Sequence, residues 1–573
     1  MIAGILKNNK TKAHYYGYRP DKIKQEEVFC DGNINFCMIS PVPQNVLAFS
    51  IGADIIFNML RRRKNVYADM GVLPDKNLLS RMGNAPIEAL YSERQIRDFD
   101  IIGLSLYFIG SYFNVVPFLI KSGINPIARE RGEEDPLIIA GGGSCSTNPL
   151  PVSDFIDVFV IGDGETPVKN IIDCMEENKG VGKMELLHKL KEKNRSLYIP
   201  LLAKNGESVY YNIEEDISGS ILDASDYVSK PRNKTIELIR GCRYKCNFCN
   251  LGNIRRKVAE MPVESVVKAI KSYPTGTSIY PFAPDESSYR KYDEIYKNIG
   301  DRKLYRYNQR FNTYKKNKRH SLNDYRVSFG LDGISQRIRD LVRKNVKEQQ
   351  VREAITHALA NFDVIKINLI IAFPFECHSD WEEFERLMED ICKIRKELVP
   401  EKCYTEEENE RVYIGYKEGK KVKIDKKLLM LHLAPTPFQA EPHTPMQWYG
   451  IGDIDLANIK IKSLKKKLLR KYGMVKIEGL NSKASMETEF IMKRGGKEIC
   501  NVLYDMGKRD YYNSSGLSQL NKPFKLLLKK RGIDYRKYLK EYSINDSLPW
   551  EFIVTGGEER YKREYLKMKA NER

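Results

Sequence analysis

The chain has 573 residues, of which 42% are hydrophobic and 30% are charged, and its formal net charge is +19. The hydrophobic fraction is ample for packed cores, and a chain of this length typically divides into about three or four domains. No apolar run approaches the roughly 18–20 residues of a membrane span, which argues against a membrane-spanning protein.

The cysteines and the first residues bear on the cellular compartment. The eleven cysteines show no regular disulfide-type spacing, which is typical of a reducing compartment. The first residues, MIAGILKNNKTK, lack the longer apolar stretch and the cleavage signal of a secretory leader. We therefore expect a cytoplasmic protein with no membrane partner.

The N-terminal part of the chain, residues 1–175, predicts an open α/β domain. Helical patterns over Gly52–Arg63 and Val115–Ser122 lie between short apolar runs. Short buried strands that alternate with helices are typical of a parallel sheet, so we expect a Rossmann-like open sheet. The predicted strands are Asn35–Ser40, Ile101–Leu106, Leu137–Ala140 and Val158–Ile161.

Two glycine-containing segments come just after predicted strands of this domain. They are Gly141–Gly143 and the run Ile161–Glu165, IGDGE. Ligands of open α/β sheets bind at the carboxyl ends of the strands, and glycine lets a backbone approach them closely. We therefore predict that Gly141, Gly142 and Gly143 contact a cofactor.

The rest of the chain predicts a connector, a second α/β domain and an extension. Residues 176–233 are polar, with a small strand pair at Ser196–Leu202 and Ser208–Ile213. Strand–helix alternation resumes over 234–450, interrupted by a charged insertion at Thr405–Lys427, and 451–573 predicts an α+β extension. The six strands predicted for the second domain are Thr235–Arg240, Ser278–Phe282, Lys303–Tyr307, Arg326–Leu331, Ile365–Phe373 and Leu428–Ala434.

Three cysteines follow the first of these strands, in the segment IELIRGCRYKCNFCNLG. Cys242, Cys246 and Cys249 have the spacing C-x3-C-x2-C. Thiolates select zinc or an iron–sulfur cluster, but zinc prefers four protein ligands and no histidine is near enough in sequence to complete a set. A cluster held by three thiolates leaves one iron free for a non-protein ligand. The alternatives are three buried free cysteines or an incomplete zinc site.

This segment, including Phe248 before the last cysteine, resembles the cluster loop of the radical S-adenosylmethionine (SAM) superfamily. The resemblance implies a partial (β/α)6 barrel, a [4Fe-4S] cluster on Cys242, Cys246 and Cys249, and SAM bound to the free iron. Reductive cleavage of SAM would then give a radical that removes a hydrogen atom from the substrate. In barrels the chemistry lies at the carboxyl ends of the strands, where this loop is predicted.

The N-terminal domain resembles the cobalamin-binding-like domain that precedes many radical SAM barrels. The similarity runs through Gly103–Leu106 (GLSL), Ile139–Pro151 (IAGGGSCSTNPLP) and the IGDGE segment. The D-x-H-x-x-G motif of base-off corrinoid proteins is missing, and no histidine lies between His14 and His188. The resemblance therefore leaves two alternatives open, a corrinoid bound without that histidine and a scaffold without a corrinoid.

The same resemblance suggests contacts to SAM. In Ser328–Val346, Asp332 is placed to accept from a ribose hydroxyl, and Arg337 or Arg339 to pair with the SAM carboxylate. The alternative is an ordinary helix N-terminus. After the fifth strand, Ile367–Glu376 resembles the family's segment that contacts adenine, and within it Ala372 stands where glycine is common. The residues that hold the SAM amino group are left open, because Ser278–Ser287 lacks the usual glycine pair.

Three further segments resemble one widespread group of radical SAM proteins whose reaction is open. They are Ala434–Gly450, Phe490–Glu498 and Ser547–Ile553. Within the first, His443, Gln447 and Trp448 are either substrate contacts or structural residues that cap the barrel.

The basic charge permits an anionic substrate such as RNA without establishing one. Basic runs lie at Lys315–Arg319, Lys465–Arg470 and Lys529–Arg531, and aromatics are interleaved at Leu304–Phe311. These segments would suit RNA, but they also suit solvated helix faces.

If a corrinoid is bound, the resemblance implies a methyl transfer reaction. Without a corrinoid, it implies a rearrangement, an oxidation or a sulfur insertion. The rival interpretations are an RNA-binding protein with a structural cluster, an RNA-modifying methyl- or methylthiotransferase, and polar methyl transfer through a corrinoid. A flavodoxin or ferredoxin is the expected reductant.

Overall fold

The computed structural model describes most of the chain. The described residues are 29–42, 50–222, 233–305, 308–314, 326–362, 364–398, 404–407, 410–417, 420–424, 431–472, 475–514 and 516–572. The predicted basic run Lys315–Arg319 lies outside them.

A buried, mostly parallel sheet forms the N-terminal domain, as the sequence predicts. Its elements are β1 (Ile34–Ser40), α1 (Ile51–Arg61), β2 (Val66–Val72), α2 (Lys76–Met82), β3 (Ile101–Ser105), α3 (Tyr112–Lys121), β4 (Leu137–Gly141), β5 (Val158–Val160), α4 (Glu165–Glu177), α5 (Lys183–Lys193) and β6 (Leu197–Tyr198). The strand order is β2-β1-β3-β4-β5-β6, and only the last pair is antiparallel. This arrangement confirms the open parallel sheet.

The sequence did not predict β2, because its apolar run is interrupted by Asp69. In the structure Asp69 is fully buried, and its carboxylate accepts hydrogen bonds from the backbone N–H groups of Met70, Tyr91 and Ser92 at 2.7–3.0 Å. Hydrogen bonds of this kind offset the cost of burying a carboxylate. A buried strand can therefore carry an acidic residue in its middle.

The predicted strand pair of the connector is wrong. β6 adds antiparallel to β5 at the edge of the N-terminal sheet, whereas β7 (Val209–Tyr210) pairs in parallel with β21 (Ile553–Val554) near the end of the chain. Both strands are only two residues long and find partners far away in sequence. Local pattern alone could not identify those partners.

The central domain contains parallel strands in sequential order. After β8 (Asn233–Glu237) and β9 (Ile239–Arg240) come α6 (Asn250–Ile254), β10 (Ala259–Glu260), α7 (Val263–Ser272), β11 (Ser278–Phe282), α8 (Tyr292–Asn298), β12 (Lys303–Leu304), β13 (Asn308–Gln309), β14 (Arg326–Gly330), α9 (Gln336–Leu341), α10 (Glu348–Asn361), β15 (Val364–Ile371) and α11 (His378–Leu398). The insertion forms β16 (Tyr404–Glu407), β17 (Glu410–Lys417) and β18 (Lys420–Ile424), an antiparallel sheet, before β19 (Leu431–Pro437) returns to the domain.

The parallel strands belong to two sheets, with the orders β12-β11-β8 and β13-β14-β15-β19-β20. Here β20 (Val475–Ile477) is an added edge strand. β12 lies within the predicted strand Lys303–Tyr307, whose residues 306–307 lie outside the described part of the chain, and β13 follows directly after that prediction. The order agrees with the predicted succession of β/α units. A single continuous partial barrel stays a prediction.

The C-terminal extension is mainly helical and packs on both other domains. Its helices are α12 (Ile454–Tyr472), α13 (Lys483–Arg494), α14 (Glu498–Gly507), α15 (Ser518–Lys530), α16 (Arg536–Leu539) and α17 (Glu558–Ala570). Residues of α14 and α15, such as Leu503 and Phe524, lie in the same hydrophobic core as Phe113 and Val116 of α3. The extension and the N-terminal domain therefore share a core. Within the described residues, no helix is long and apolar enough to cross a membrane.

Candidate active site

The three cysteines lie on a tightly folded loop between β9 and α6. Gly241 opens the loop with a φ of +87°, a conformation that favours glycine. At Gly252 a Cβ atom would lie 2.1 Å from the carbonyl oxygen of Tyr244, so only glycine fits there. Asn253 closes the loop by donating to the carbonyls of Cys246 and Cys249 at 2.9 and 2.6 Å. Local sequence thus fixes the backbone that carries the thiols.

The three thiols are electrostatic neighbours. Cys246 is buried and the other two are half-buried. Burial, together with the charges of Cys246 and Cys242, raises the pKa of Cys249 to about 12. Burial likewise raises the pKa of Cys242. Bringing these thiols together as thiolates therefore requires a compensating positive charge, which a metal centre supplies.

The donor set fits an iron–sulfur cluster by its chemistry. Cys242, Cys246 and Cys249 are soft ligands on one short loop, and a cluster distributes its thiolates over separate irons. The assignment of these cysteines as cluster ligands is a proposal, treated below.

A buried arginine, Arg310, lies beside the loop and was missed in the sequence. Its Nη1 is 3.7 Å from Sγ of Cys246, and its Nη2 donates to the backbone carbonyl of Lys344. The guanidinium also stacks over the Tyr244 ring at 3.8 Å. Arg310 comes just after β13, so its place at a strand's carboxyl end was the signal that could have identified it.

Further polar side chains line the neighbouring strand ends. Asp332, just after β14, has a φ of +45° and forms an ion pair with the buried Lys344. After β11, the hydroxyl of Ser287 bonds to Asp285 and lies 2.6 Å from that of Thr313. The structure therefore brings Asp332 to the carboxyl edge where the cysteine loop lies, and the prediction that it contacts ribose stays a prediction.

Arg337 and Arg339 have protein partners in the structure. Arg337 forms an ion pair with Asp380 at 2.5 Å and donates to the carbonyl of Phe375 at 2.9 Å. Arg339 is fully buried; its Nε donates to Val346 and its Nη1 to Gly333, both at backbone carbonyls. Arg337 also lies 3.8 Å from the sulfur of Cys377, but no described hydrogen bond joins either guanidinium to Cys242, Cys246 or Cys249. Their role at the SAM carboxylate stays a prediction.

Ala372 follows β15 in a left-handed backbone conformation with a φ of +60°. A Cβ atom at Gly452 would lie 1.7 Å from the Ala372 carbonyl oxygen, so this segment is packed directly against residue 452. The adjoining Phe373 lies 6.3 Å from Phe248 of the cysteine loop, measured between ring centroids. Ala372 is therefore near the loop, at a position whose conformation is typical of glycine. Its predicted contact with adenine stays a prediction.

The glycine run of the N-terminal domain lies against protein backbone. A Cβ atom at Gly142, where φ is +109°, would be 2.9 Å from the backbone of Leu106, and one at Gly143 would be 3.1 Å from the Tyr107 carbonyl. Gly141 is the last residue of β4. The close approach of the β3 and β4 termini explains Gly142 and Gly143 without a ligand. Their contact with a cofactor stays a prediction.

The IGDGE segment joins the N-terminal domain to the cysteine loop. Asp163 forms an ion pair with the buried Arg255 at 3.0 Å, and Glu165 forms one with Arg240 at 2.7 Å. Arg255 also donates to the backbone carbonyl of Arg240 at 3.0 Å. Since Arg240 and Arg255 flank the cysteines, the two domains meet at the carboxyl ends of β5 and β9.

His443, Gln447 and Trp448 are buried and have structural contacts. The His443 ring lies 3.0 Å from the carbonyl of Thr147, which ties it to the N-terminal domain. The Gln447 side chain accepts from Trp550 at 2.8 Å and from the backbone of His443. These contacts support the structural alternative for His443 and Gln447.

Comparisons with known proteins agree with this architecture. A sequence profile for the radical SAM superfamily matches residues 236–388, and one described as the N-terminal region of radical SAM proteins matches residues 52–200. Uncharacterized protein MJ0966 of Methanocaldococcus jannaschii is 23% identical over 434 residues, which cover 73% of this chain and 83% of that protein.

Two solved structures are loosely similar. One is the radical SAM methyltransferase TsrM from Kitasatospora setae, with tryptophan substrate and aza-SAM bound (TM-score 0.45, 11% identity, 87% of this chain and 99% of that chain). The other is OxsB, a cobalamin-dependent SAM radical enzyme, with aqua-cobalamin and SAM bound (TM-score 0.44, 13% identity, 94% and 80%).

The α/β architecture, the cysteine loop at a strand's carboxyl end and the profile matches together define an enzyme that uses a metal cluster and a nucleoside cofactor. The chain belongs to the radical SAM superfamily, whose cofactors are a [4Fe-4S] cluster and SAM.

The buried His443 makes stability depend on pH. Burial lowers its pKa from 6.5 to about 4, so the folded protein keeps the ring neutral while the unfolded chain protonates it below pH 6.5. The unfolded state then binds more protons, and stability falls as pH decreases from 6.5 to 4, by at most about 1.4 kcal/mol per pH unit from this group.

Urea unfolding across this pH window measures the effect. We expect a shallower slope in His443→Gln and an unchanged slope in His188→Gln, since His188 is exposed. Equal slopes in wild type and His443→Gln would contradict this prediction.

Proposed function

We propose that Cys242, Cys246 and Cys249 hold a [4Fe-4S] cluster and that the protein reductively cleaves SAM to start a radical reaction on its substrate. The observation that carries the proposal is the loop itself: three soft ligands on a backbone fixed by Gly252 and Asn253, next to a buried arginine. When bound and reduced, the cluster supplies one electron that splits SAM into methionine and a 5′-deoxyadenosyl radical.

The chain's own residues position and shield this chemistry. The polar side chains at the ends of β11, β13 and β14 offer donors and acceptors to a nucleoside, and Asp332 remains the candidate for the ribose hydroxyls. Phe248, Phe373 and Phe375 form an aromatic cluster beside the loop, with Phe373 and Phe375 stacked at 5.5 Å. Such apolar side chains exclude water from a radical intermediate.

Replacement of one ligand tests the proposal. Cys246→Ala, after anaerobic reconstitution with iron and sulfide, should lose most of its iron and form no 5′-deoxyadenosine from SAM and dithionite. Cys30→Ala is the matched control, because Cys30 is an exposed cysteine outside the loop. Wild-type iron content and SAM cleavage in Cys246→Ala would refute the assignment, as would zinc as the sole metal in wild-type protein.

Arg310 is expected to tune the reduction potential. Its guanidinium places a positive charge and a hydrogen-bond donor 3.7 Å from the Cys246 sulfur, which favours the reduced, more negative state of a cluster. Arg310→Gln should lower the potential by roughly 60 mV, which is about 1.4 kcal/mol for a one-electron couple.

An EPR-monitored redox titration measures this shift. Arg310→Lys, which keeps the charge, should give a smaller shift, and Arg352→Gln on α10 none. A potential in Arg310→Gln equal to that of wild type would show that the arginine has only a structural role.

Corrinoid-assisted methyl transfer is the more specific form of this proposal. The sequence resemblance of the N-terminal domain supports it, together with the meeting of the β5 and β9 ends at Asp163 and Arg255, because that junction places this domain's ligand edge beside the cysteine loop. Hydroxocobalamin should co-elute with the reconstituted protein at about one equivalent, with a shifted absorption spectrum. If cobalamin elutes separately from the protein, the N-terminal domain does not bind a corrinoid and acts only as a scaffold.

A further inference from the structure

The parallel strands of the central domain have an apolar side and a polar side. In β15, Ile365 and Ile367 are fully buried and belong to the hydrophobic core shared with α10, α11 and α12. The residues that alternate with them, Lys366, Asn368 and Ile370, are only half-buried. Since successive side chains point to opposite sides of a strand, these three point away from the helices.

Both parallel sheets contribute to the polar side. In the other sheet, Ile279 of β11 belongs to the core shared with α7, whereas the next residue, Tyr280, stacks on Tyr305 at 4.7 Å between ring centroids. The loops after β11 and β13 meet where Thr313 donates to Asp285 at 3.2 Å, so the two sheets adjoin. We define the inner face by six residues of these strands, which are Tyr280, Tyr305, Ser328, Lys366, Asn368 and Ile370.

The inner face leads up to the cysteine loop. Ile370, its uppermost residue on β15, packs against the same apolar cluster as Phe248 of the loop. Asn368 lies below it and donates to the Ser328 hydroxyl at 2.8 Å. Because a parallel strand rises about 3.3 Å per residue, Lys366 lies about 13 Å below Ile370. A molecule that extends from Lys366 to the loop is therefore a small molecule of elongated shape.

Lys366 has no acidic partner on this face. It forms no ion pair or hydrogen bond with another residue that the structure describes. Its neighbour in register on β19 is His432, whose Nε2 lies 2.7 Å from the Glu478 carboxylate. Burial lowers the pKa of His432, and Lys366 is among the cations that lower it further. Glu478 is thus bound to His432, and the half-buried ammonium of Lys366 would interact with an anion more strongly than a fully solvated one.

We propose that the inner face binds the substrate and that this substrate is a small organic anion, a carboxylate or a phosphate monoester, paired with Lys366. The inference rests on the proposed function, because it takes the bound anion to be the molecule that reacts. Asn368 and Ser328 offer hydrogen bonds to its middle, and Tyr280 and Tyr305 offer aromatic rings to its apolar part. Its reacting carbon lies below the cysteine loop, about 10 Å from its anionic group.

Access to the inner face favours a small molecule over RNA. Other parts of the chain cover the carboxyl ends of the strands. Arg255 pairs with Asp163 of the N-terminal domain at 3.0 Å, and Tyr561 of α17 donates to the carbonyl of Asn253 at 2.9 Å. Single-stranded RNA binds along extended, positively charged grooves. A polar face that is covered on two sides at its upper end suits a metabolite better.

Equilibrium dialysis of the reconstituted holoenzyme tests the proposal. The probe is the small-molecule fraction of an extract from cells that contain this protein naturally, and mass spectrometry identifies the anions that the protein retains. Lys366→Gln removes the charge, Lys366→Arg keeps it, and Asn368→Asp adds a carboxylate beside the bound anion. Lys530→Gln is the matched control, since it makes the same change at an exposed residue at the end of α15.

Wild type, Lys366→Arg and Lys530→Gln should retain the same anion, and Lys366→Gln and Asn368→Asp should retain about tenfold less of it, because they remove its counterion or repel it. Alkaline phosphatase treatment of the extract should abolish retention of a phosphate monoester and leave that of a carboxylate unchanged. The retained anion, once purified, should accelerate 5′-deoxyadenosine formation in wild type, and Lys366→Gln should raise its KM more than it lowers kcat.

Other results overturn the inference or separate it from the proposed function. Equal retention by wild type and Lys366→Gln overturns it, as does the absence of any anion retained by wild type. Binding of RNA from the macromolecular fraction that Lys366→Gln loses would also overturn it and assign the face to RNA. If the anion is retained as expected but wild type forms no 5′-deoxyadenosine with SAM and dithionite, the proposed function fails and the anion site stands.

Discussion

The position of the cysteine loop depends on one buried guanidinium, that of Arg255. It is 2% exposed and lies between the loop, the connector and the IGDGE segment, where it meets Asp163 at 3.0 Å. Burying an arginine is costly unless its charge and its donors are satisfied. Arg255 is satisfied only when the N-terminal domain is folded against the loop. The geometry of the thiols is therefore a property of two domains and not of the loop alone.

The C-terminal extension reinforces the same junction from the other side. Asn148, in the loop after β4, donates to the carbonyls of Lys493 and Gly495 at 3.0 and 2.8 Å. At Gly507 a Cβ atom would lie 2.4 Å from the side chain of Val116, so α14 packs closely on α3. Because α17 of the same extension also packs on the cysteine loop through Tyr561, the chain's last residues connect both domains. The junction is thus held on several sides, which suits a site that must exclude water.

Much of the fold could be predicted because its signals are local. The apolar runs of β1, β3, β11 and β15 and the cysteine spacing can be read within a few residues of sequence. The two-residue β6 and β7 could not be assigned correctly, since their partners lie elsewhere in the chain. The site shows the same limit: Cys242, Cys246 and Cys249 stood out by spacing, whereas Arg310 and Lys344 carry no motif and are found only through their contacts. Arg337 and Arg339 matched a pattern, yet side-chain partners such as Asp380 cannot be read from it.

The cations beside the cysteine loop can be explained by the need to offset the negative charge of thiolates. Burial and the charge of Cys246 raise the pKa of both Cys242 and Cys249, so assembly of the three thiols as thiolates is unfavourable without nearby positive charge. Arg310 acts in the opposite direction, since its charge lowers the pKa of Cys242. Lys245 adds a second cation beside the same sulfurs, and Lys344 is balanced by Asp332. A cluster ligated by thiolates would leave the net charge of this region closer to neutral than the apoprotein has it. Arg310 and Lys245 thus serve the thiolates.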